Sequence, residues 1–366
     1  MKVEIKKVKE TKFPSHCLSL VLGDDKKIYV SCYDGGVYCL DDSEKKPKKI
    51  VTHENISSGV RLCGDNIISS DYDGIIKWSD RKSHNELRKI KAHDFWSWQS
   101  AVSRDEKKIA SVTGQYLVGG YKYEPAPEKE PSVKVYDSQT GDLTHSFSHQ
   151  PPVQSIAFSN NGRFLAAGNL MGEVRVWDLS NNQMVSKWTT EQFTGWGIIK
   201  GHYYTGGIFS IEFSPDDSFI YVAGMGTTRD PAAGNGKQLW EKYRWAPRGG
   251  DPKLISSALD SEIGQGLMEV LTFHPSEKFF LMAGRMFKGN WNTAIFDSSE
   301  GKIICSENSG IRCSDAVFNA EGTKMFIGGG KSQGKIKDGK FSAWGWVLEY
   351  DVSIIEENHS FDLRAP

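Results

Sequence analysis

The sequence predicts an all-β fold, a seven-bladed β-propeller of four-stranded antiparallel blades with its ring closed by an N-terminal strand in the last blade. Three observations carry this. A phrase made of an alternating apolar run, a tight polar turn and a second apolar run recurs seven times. Registered at Leu22, Leu62, Val102, Phe158, Phe213, Phe273 and Phe318, the copies lie 40, 40, 56, 55, 60 and 45 residues apart, and the shortest interval is the length of one four-stranded blade. The 37 glycines and 11 tryptophans suit a chain that turns often between short strands and packs large flat side chains.

In chain order, Val3 to Lys9 alternates well and is expected to supply the outer strand of the seventh blade, which would remove the exposed edges of an open ring. First and second strands follow at Cys17 to Ser31, Gly59 to Ser70, Gln99 to Ser111, Val153 to Gly168, Ile208 to Gly224, Glu269 to Gly284 and Asp315 to Gly329. Third strands come next, at Gly36 to Leu40, Ile75 to Trp78, Val133 to Asp137, Val174 to Asp178, Gln238 to Trp240, Thr293 to Asp297 and Val347 to Asp351. Outer strands are visible in places, as at Leu143 to Ser148 and Lys302 to Ser306. Residues 1–352 thus form a single domain, and 353–366 a polar C-terminal tail.

Composition narrows the function. With 45 basic against 46 acidic side chains, no global field favours nucleic acid or an anionic membrane. The six cysteines show no CxxC pair, so neither a zinc site nor a disulfide framework is expected, and the thiols read as reduced. The N-terminus alternates charge with apolar residues where a signal peptide needs a continuous apolar run, and no stretch reaches the length of a membrane span. A monomeric cytoplasmic protein is the expectation.

Val174-Arg175-Val176-Trp177-Asp178, Ser214-Pro215-Asp216-Asp217, the turns Asp34-Gly35 and Asp73-Gly74, and His53, His93 and His149 ahead of first strands resemble the WD-repeat (WD40) family. The resemblance runs from about residue 3 to 352. It implies a buried hydrogen-bonded set of Asp, His, Ser or Thr and Trp within a blade. The second blade comes closest, with His53, Ser69 or Ser70, Asp73 and Trp78. The fourth has His149 and Trp177 but Met171 where the turn aspartate belongs, so most blades are expected to hold by apolar packing.

In this architecture, first-to-second and third-to-fourth turns lie on one face, and second-to-third turns and blade connections on the other. The first set is short. Extra length falls at Thr113 to Ser132, Met225 to Lys237, Arg285 to Asn292, Gly330 to Trp344, Thr189 to Gly207 and Arg244 to Gly266, all assigned to one face of blades 3 to 7. These segments and their borders carry the residues expected to bind a partner: Trp96, Trp98, Tyr121, Tyr123, Arg229, Trp245, Arg248, Arg285, Trp291 and Trp344. Alternation leaves Trp96 and Trp98 open between core and surface and assigns Trp344 and Trp346 to packing between blades, whereas Tyr121, Tyr123, Trp245 and Trp291 are expected at the surface. Trp78, Trp177 and Trp240 occupy third strands and belong to the core.

No HExxH motif or Walker loop occurs. Glu212, Glu269 and Asp315 begin or line inner strands near a central channel, but three carboxylates on strands of opposite parity make a poor calcium site. Lys331, Lys335, Lys337 and Lys340 form a basic run that reads as a solvated loop, with a nucleic-acid or phosphate contact as the alternative. No cofactor and no metal are expected. The sequence therefore points to a non-catalytic interaction scaffold that binds a protein or peptide. A small-ligand binder or a hydrolase or lyase at the channel mouth, using Glu269, Asp315, Arg285 or Trp98, is the alternative.

Overall fold

The computed structural model describes residues 2–41, 43–44, 46–114, 128–190, 192–193, 207–226, 236–245, 250–331, 336–337, 340–341 and 343–355. Every regular element among them is a strand. The chain opens with β1 (Lys2–Phe13). Blade 1 is β2 (Cys17–Leu22), β3 (Ile28–Cys32), β4 (Gly36–Leu40) and β5 (Lys48–Thr52). Blade 2 is β6 (Ser57–Cys63), β7 (Asn66–Asp71), β8 (Ile75–Asp80) and β9 (Glu86–Lys91). Blade 3 is β10 (Ser97–Val102), β11 (Lys108–Thr113), β12 (Val133–Asp137) and β13 (Leu143–Phe147). Blade 4 is β14 (Val153–Phe158), β15 (Phe164–Asn169), β16 (Glu173–Asp178) and β17 (Gln183–Thr189).

Blade 5 comprises β18 (Gly207–Phe213), β19 (Ile220–Met225), β20 (Gly236–Arg244) and β21 (Lys253–Ser257). Blade 6 comprises β22 (Gln265–Phe273), β23 (Phe279–Lys288), β24 (Thr293–Asp297) and β25 (Ile303–Glu307). A two-stranded hairpin, β28 (Ile336–Lys337) and β29 (Lys340–Phe341), interrupts blade 7, which is β26 (Arg312–Phe318), β27 (Lys324–Gly330) and β30 (Gly345–Ile355) with β1 as its outer strand. Successive first strands pack side by side, and β26 lies against β2, so the circuit of inner strands is complete.

The N-terminal strand is longer than Val3 to Lys9. It pairs antiparallel with β30 from Lys2 opposite Ile355 to Phe13 opposite Gly345, with one irregularity between Lys7 and Lys9. Its partner β30 therefore runs past residue 352, and the first residues assigned by sequence to a tail belong to the sheet. Val3 and Phe13 are buried while the charged residues between them face out, the pattern of an outer strand with one face on a core.

The tryptophans of the third strands are core, as the repeat register requires. Trp177 stacks on Phe147 of the preceding blade with ring centroids 5.0 Å apart, and Trp240 meets Phe280 and Phe296 of the following blade edge-on. Trp78 is buried and its Nε1 donates to the Ser138 carbonyl of blade 3 at 2.8 Å, not to a serine of its own blade.

The buried polar set differs from expectation in register. In blade 2 the carboxylate beside His53 is Asp71, not Asp73: Asp71 Oδ2 is 2.8 Å from Nδ1, and Ser69 Oγ is 2.8 Å from Nε2. Asp73 sits two residues on, exposed, and accepts from Asn55. In blade 4 the equivalent place is held by Asn169, whose Oδ1 accepts the amides of Met171 and Glu173 just as Asp71 Oδ1 accepts those of Asp73 and Ile75. Either side chain caps the turn, because what the turn needs is one acceptor oxygen. His93 of blade 3 also meets a serine, Ser111 Oγ, at 3.1 Å.

Blades 5 and 6 share backbone hydrogen bonds. Gly236 and Lys237 of β20 pair with Gly266 and Gln265 of β22, joining two blades into one sheet. Each glycine at the seam is also pressed against the backbone of its own blade: a Cβ on Gly236 would fall 1.8 Å from the Gly226 carbonyl oxygen, and one on Gly266 2.1 Å from that of Arg285.

Candidate functional site

One irregularity recurs in all seven first strands. The ladder to the second strand skips a residue between Cys17 and Ser19, Ser57 and Gly59, Ser97 and Gln99, Val153 and Ser155, Ile208 and Ser210, Met268 and Val270, and Cys313 and Asp315. A β-bulge re-aims the extra side chain. The seven residues so released, Leu18, Ser58, Trp98, Gln154, Phe209, Glu269 and Ser314, all line one central cavity of about 450 Å³. A lower void of about 280 Å³ continues it, and Arg61, Gln99, Ser100 and Glu212 border both.

Aromatic rings gather around the upper opening. Tyr72, in the turn after β7, stacks on Trp96 at 4.4 Å and 11° and on Trp98 at 5.7 Å, and Phe95 stacks on Trp96 at 4.8 Å. Across the cavity Trp344 meets Tyr33 at 5.7 Å and His16 at 5.6 Å. His16 Nε2 is 2.7 Å from Ser314 Oγ, and burial holds its pKa down to about 4, so it is neutral at pH 7. Gly330 leaves room for it, since a Cβ there would lie 2.4 Å from His16 Nδ1.

The carboxylates of the channel do not converge. Arg312 grips Glu269 with two bonds, Nε to Oε2 at 2.7 Å and Nη2 to Oε1 at 2.5 Å. Asp315 Oδ2 accepts from Ser19 Oγ at 2.9 Å and from the Leu20 amide at 3.0 Å, tying blade 7 to blade 1, with Arg61 3.5 Å away. Glu212 stands at the waist between the two voids. Burial pushes its carboxyl up to about 8, with Arg61 opposing and Asp315 adding to the rise, so it carries a proton at pH 7. Among the described residues no group of three or more His, Cys, Asp or Glu side chains is placed to hold a metal ion. The arrangement offers aromatic faces, arginine and hydrogen-bonding side chains, which is the chemistry of recognition.

Of the residues expected to bind a partner, the structure brings Trp96, Trp98 and Trp344 to this opening, each half-buried, and sets Arg285 nearby beside Arg312. Trp344, assigned to packing between blades, does pack on Tyr33 and His16 beside blade 1, and it also lines the cavity. Trp291 is not a surface anchor. It is buried, donates from Nε1 to the Glu262 carbonyl at 2.8 Å and accepts from Gln238 Nε2 at 2.7 Å, bracing the rim of blades 5 and 6.

Trp245 is also buried, and at the opposite end. The span from Arg244 to Gly266 contains the outer strand β21, so Trp245 follows a third strand and lies on the plain face. There Trp245 packs edge-on against Phe164 and Phe213 and donates to the Asp217 carbonyl. Tyr121, Tyr123, Arg229 and Arg248 lie outside the described residues.

Tyr33, Tyr72, His16, Phe209 and Arg312 were not anticipated at the opening. A signal for two of them was present: Tyr-Asp-Gly occurs at both 33–35 and 72–74, after the second strand of consecutive blades. The bulge residues carry no common type, so only the ladder reveals them.

The family model described as WD domain, G-beta repeat matches residues 141–178 and 196–228. The U5 small nuclear ribonucleoprotein 40 kDa protein of Dictyostelium discoideum is 35% identical over 52 residues, 14% of this chain and 15% of that protein. Human striatin is 28% identical over 93 residues, 25% of this chain and 11% of its own length. Apoptotic protease-activating factor 1 of Rattus norvegicus is 22% identical over 204 residues, 55% of this chain and 15% of its own length. The chain thus spans well under a fifth of each of these relatives. With seven four-stranded antiparallel blades in sequence and the repeat matched directly in the third to fifth of them, the chain is similar to WD-repeat proteins over that part of its length.

Proposed function

We propose that the chain is a non-catalytic interaction platform that binds a protein or peptide partner on the face bearing its long connections, with Trp96, Trp98, Trp344, Tyr33 and Tyr72 as anchors. The observation that supports this best is the sevenfold bulge. Every blade gives up one ladder position to aim a side chain into a common opening, and the seven side chains comprise six residue types, aliphatic, aromatic, hydroxyl, amide and acidic, as a surface shaped for one partner requires. Rigid aromatic anchors on a preorganised ring lose little entropy on binding.

Affinity purification of the full chain tests the reading. A Trp96→Ala, Trp344→Ala variant with unchanged melting is compared with an Arg104→Glu, Lys107→Glu variant on the plain face. Loss of a specific prey in the first and its retention in the second supports the assignment. The reverse pattern, or prey indifferent to both variants, overturns it.

A further inference from the structure

Beside the central opening, between blades 6 and 7, lies an open depression of about 590 Å³ bordered by His16, Arg285, Arg312, Lys331 and Trp344. Its charge is one-sided. Three cations line it, His16 is neutral, and no carboxylate is among the described lining residues. In a chain of net charge −1 this is a local concentration, not a reflection of the whole surface.

The positive groups are held in place. Arg312 has one edge of its guanidinium committed to Glu269, and that pairing fixes the plane of the group while it remains exposed. Arg285 is half-buried beside it, and both burial and the Arg312 charge disfavour its protonated form, against the opposing charge of Glu269, whose two oxygens are already bonded to Arg312. Lys331 places its ammonium 4.6 Å from the ring centroid of Trp346. Glu10, whose carboxyl Lys331 also influences, is already bonded to Lys7 at 2.6 Å. The connection continues into the hairpin of β28 and β29, whose backbone register sets Lys337 opposite Lys340.

An anion here would relieve the repulsion between the two arginines and gain charge-assisted hydrogen bonds, and the indole of Trp344 offers an apolar wall next to it. A free anion would use the arginines alone. A polypeptide with successive carboxylates also reaches Lys331.

We propose that this depression receives an acidic stretch of the partner polypeptide, one carboxylate docking between Arg285 and Arg312 and its neighbour packing on Trp344. The assignment rests on the partner binding this face.

The test is titration calorimetry of the full chain at low ionic strength with end-blocked oligoglutamate, oligolysine and inorganic phosphate. Oligoglutamate is expected to bind and oligolysine not to. Lys331→Glu and Arg285→Gln, each checked for unchanged melting, are expected to weaken oligoglutamate about tenfold, consistent with loss of a charge-assisted contact. Absence of oligoglutamate binding, indifference to both variants, or competition by phosphate at equal concentration overturns the inference. If oligoglutamate fails while the Trp96→Ala, Trp344→Ala variant still loses its prey, the acidic partner falls and the face stands. If prey are indifferent to both faces, the wider reading falls whatever oligoglutamate does.

Discussion

Asp71 serves His53 and its own turn at once: Oδ2 lies 2.8 Å from His53 Nδ1 while Oδ1 accepts the amides of Asp73 and Ile75 at 2.9 Å each. Asp71→Ala strands a buried imidazole and two amides together. We expect a loss of about 3 kcal/mol or more in urea unfolding, because buried polar groups left without partners cost about 1–3 kcal/mol each. Asp71→Asn should cost much less, as Asn169 caps the same turn in blade 4.

Acid should weaken the fold through its buried histidines. Burial holds His149 down to about 3 and His16 to about 4, whereas unfolded imidazoles titrate near 6.5. Below about 6.5 the unfolded chain binds more protons, so the stabilisation present above that value is lost as pH falls toward the folded values. We expect the stability difference between wild type and His149→Gln to shrink between about pH 7 and pH 4.5. A difference that stays constant contradicts the linkage.

Glu212 has the opposite sign. Its folded pKa of about 8 exceeds the usual carboxylate value, so its contribution is intact at acid pH and is lost as pH rises through about 8. Glu212→Gln should therefore raise the melting temperature at alkaline pH and change it little below the ordinary carboxylate range. Equal effects at both ends would remove the channel carboxyl as the cause.

Deleting residues 1–12 should lower the melting temperature by several degrees or more, since it leaves β30 as a bare edge and uncovers its side of the blade 7 core. Unchanged melting would show that β1 contributes nothing to blade 7.

Trp245→Ala should destabilise by about 3–5 kcal/mol, the usual cost of removing a buried large aromatic, and leave partner capture intact. A variant of normal stability that loses its prey would return Trp245 to the binding surface.

Much of the ring is legible in the residues. Inner strands ending at Phe158, Phe213, Phe273 and Phe318 form where the apolar alternation places them, because a strand buried on one face announces itself with period two. Outer strands are less visible. β21 is largely exposed, so its Leu254 and Ile255 face water and no alternation marks it; missing it moved Trp245 to the wrong face. An aromatic near a connection does not say which end of a strand it caps. The turn aspartate was displaced by two residues because Asp71 and Asp73 flank one tyrosine, and only the buried geometry distinguishes them. The bulges leave no trace in residue type, so the candidate site was the least legible part.

The joining of Gly236 and Lys237 to Gln265 and Gly266 bears on how the ring would open. A circular repeat parts at its weakest seam, and each seam between blades holds mainly by side-chain contact. Backbone pairing across this seam makes blades 5 and 6 behave as one cooperative unit, so partial unfolding should begin elsewhere. Amide exchange would then report Gln238, whose N–H donates to the Gly264 carbonyl across this seam at 3.1 Å, among the late-exchanging positions.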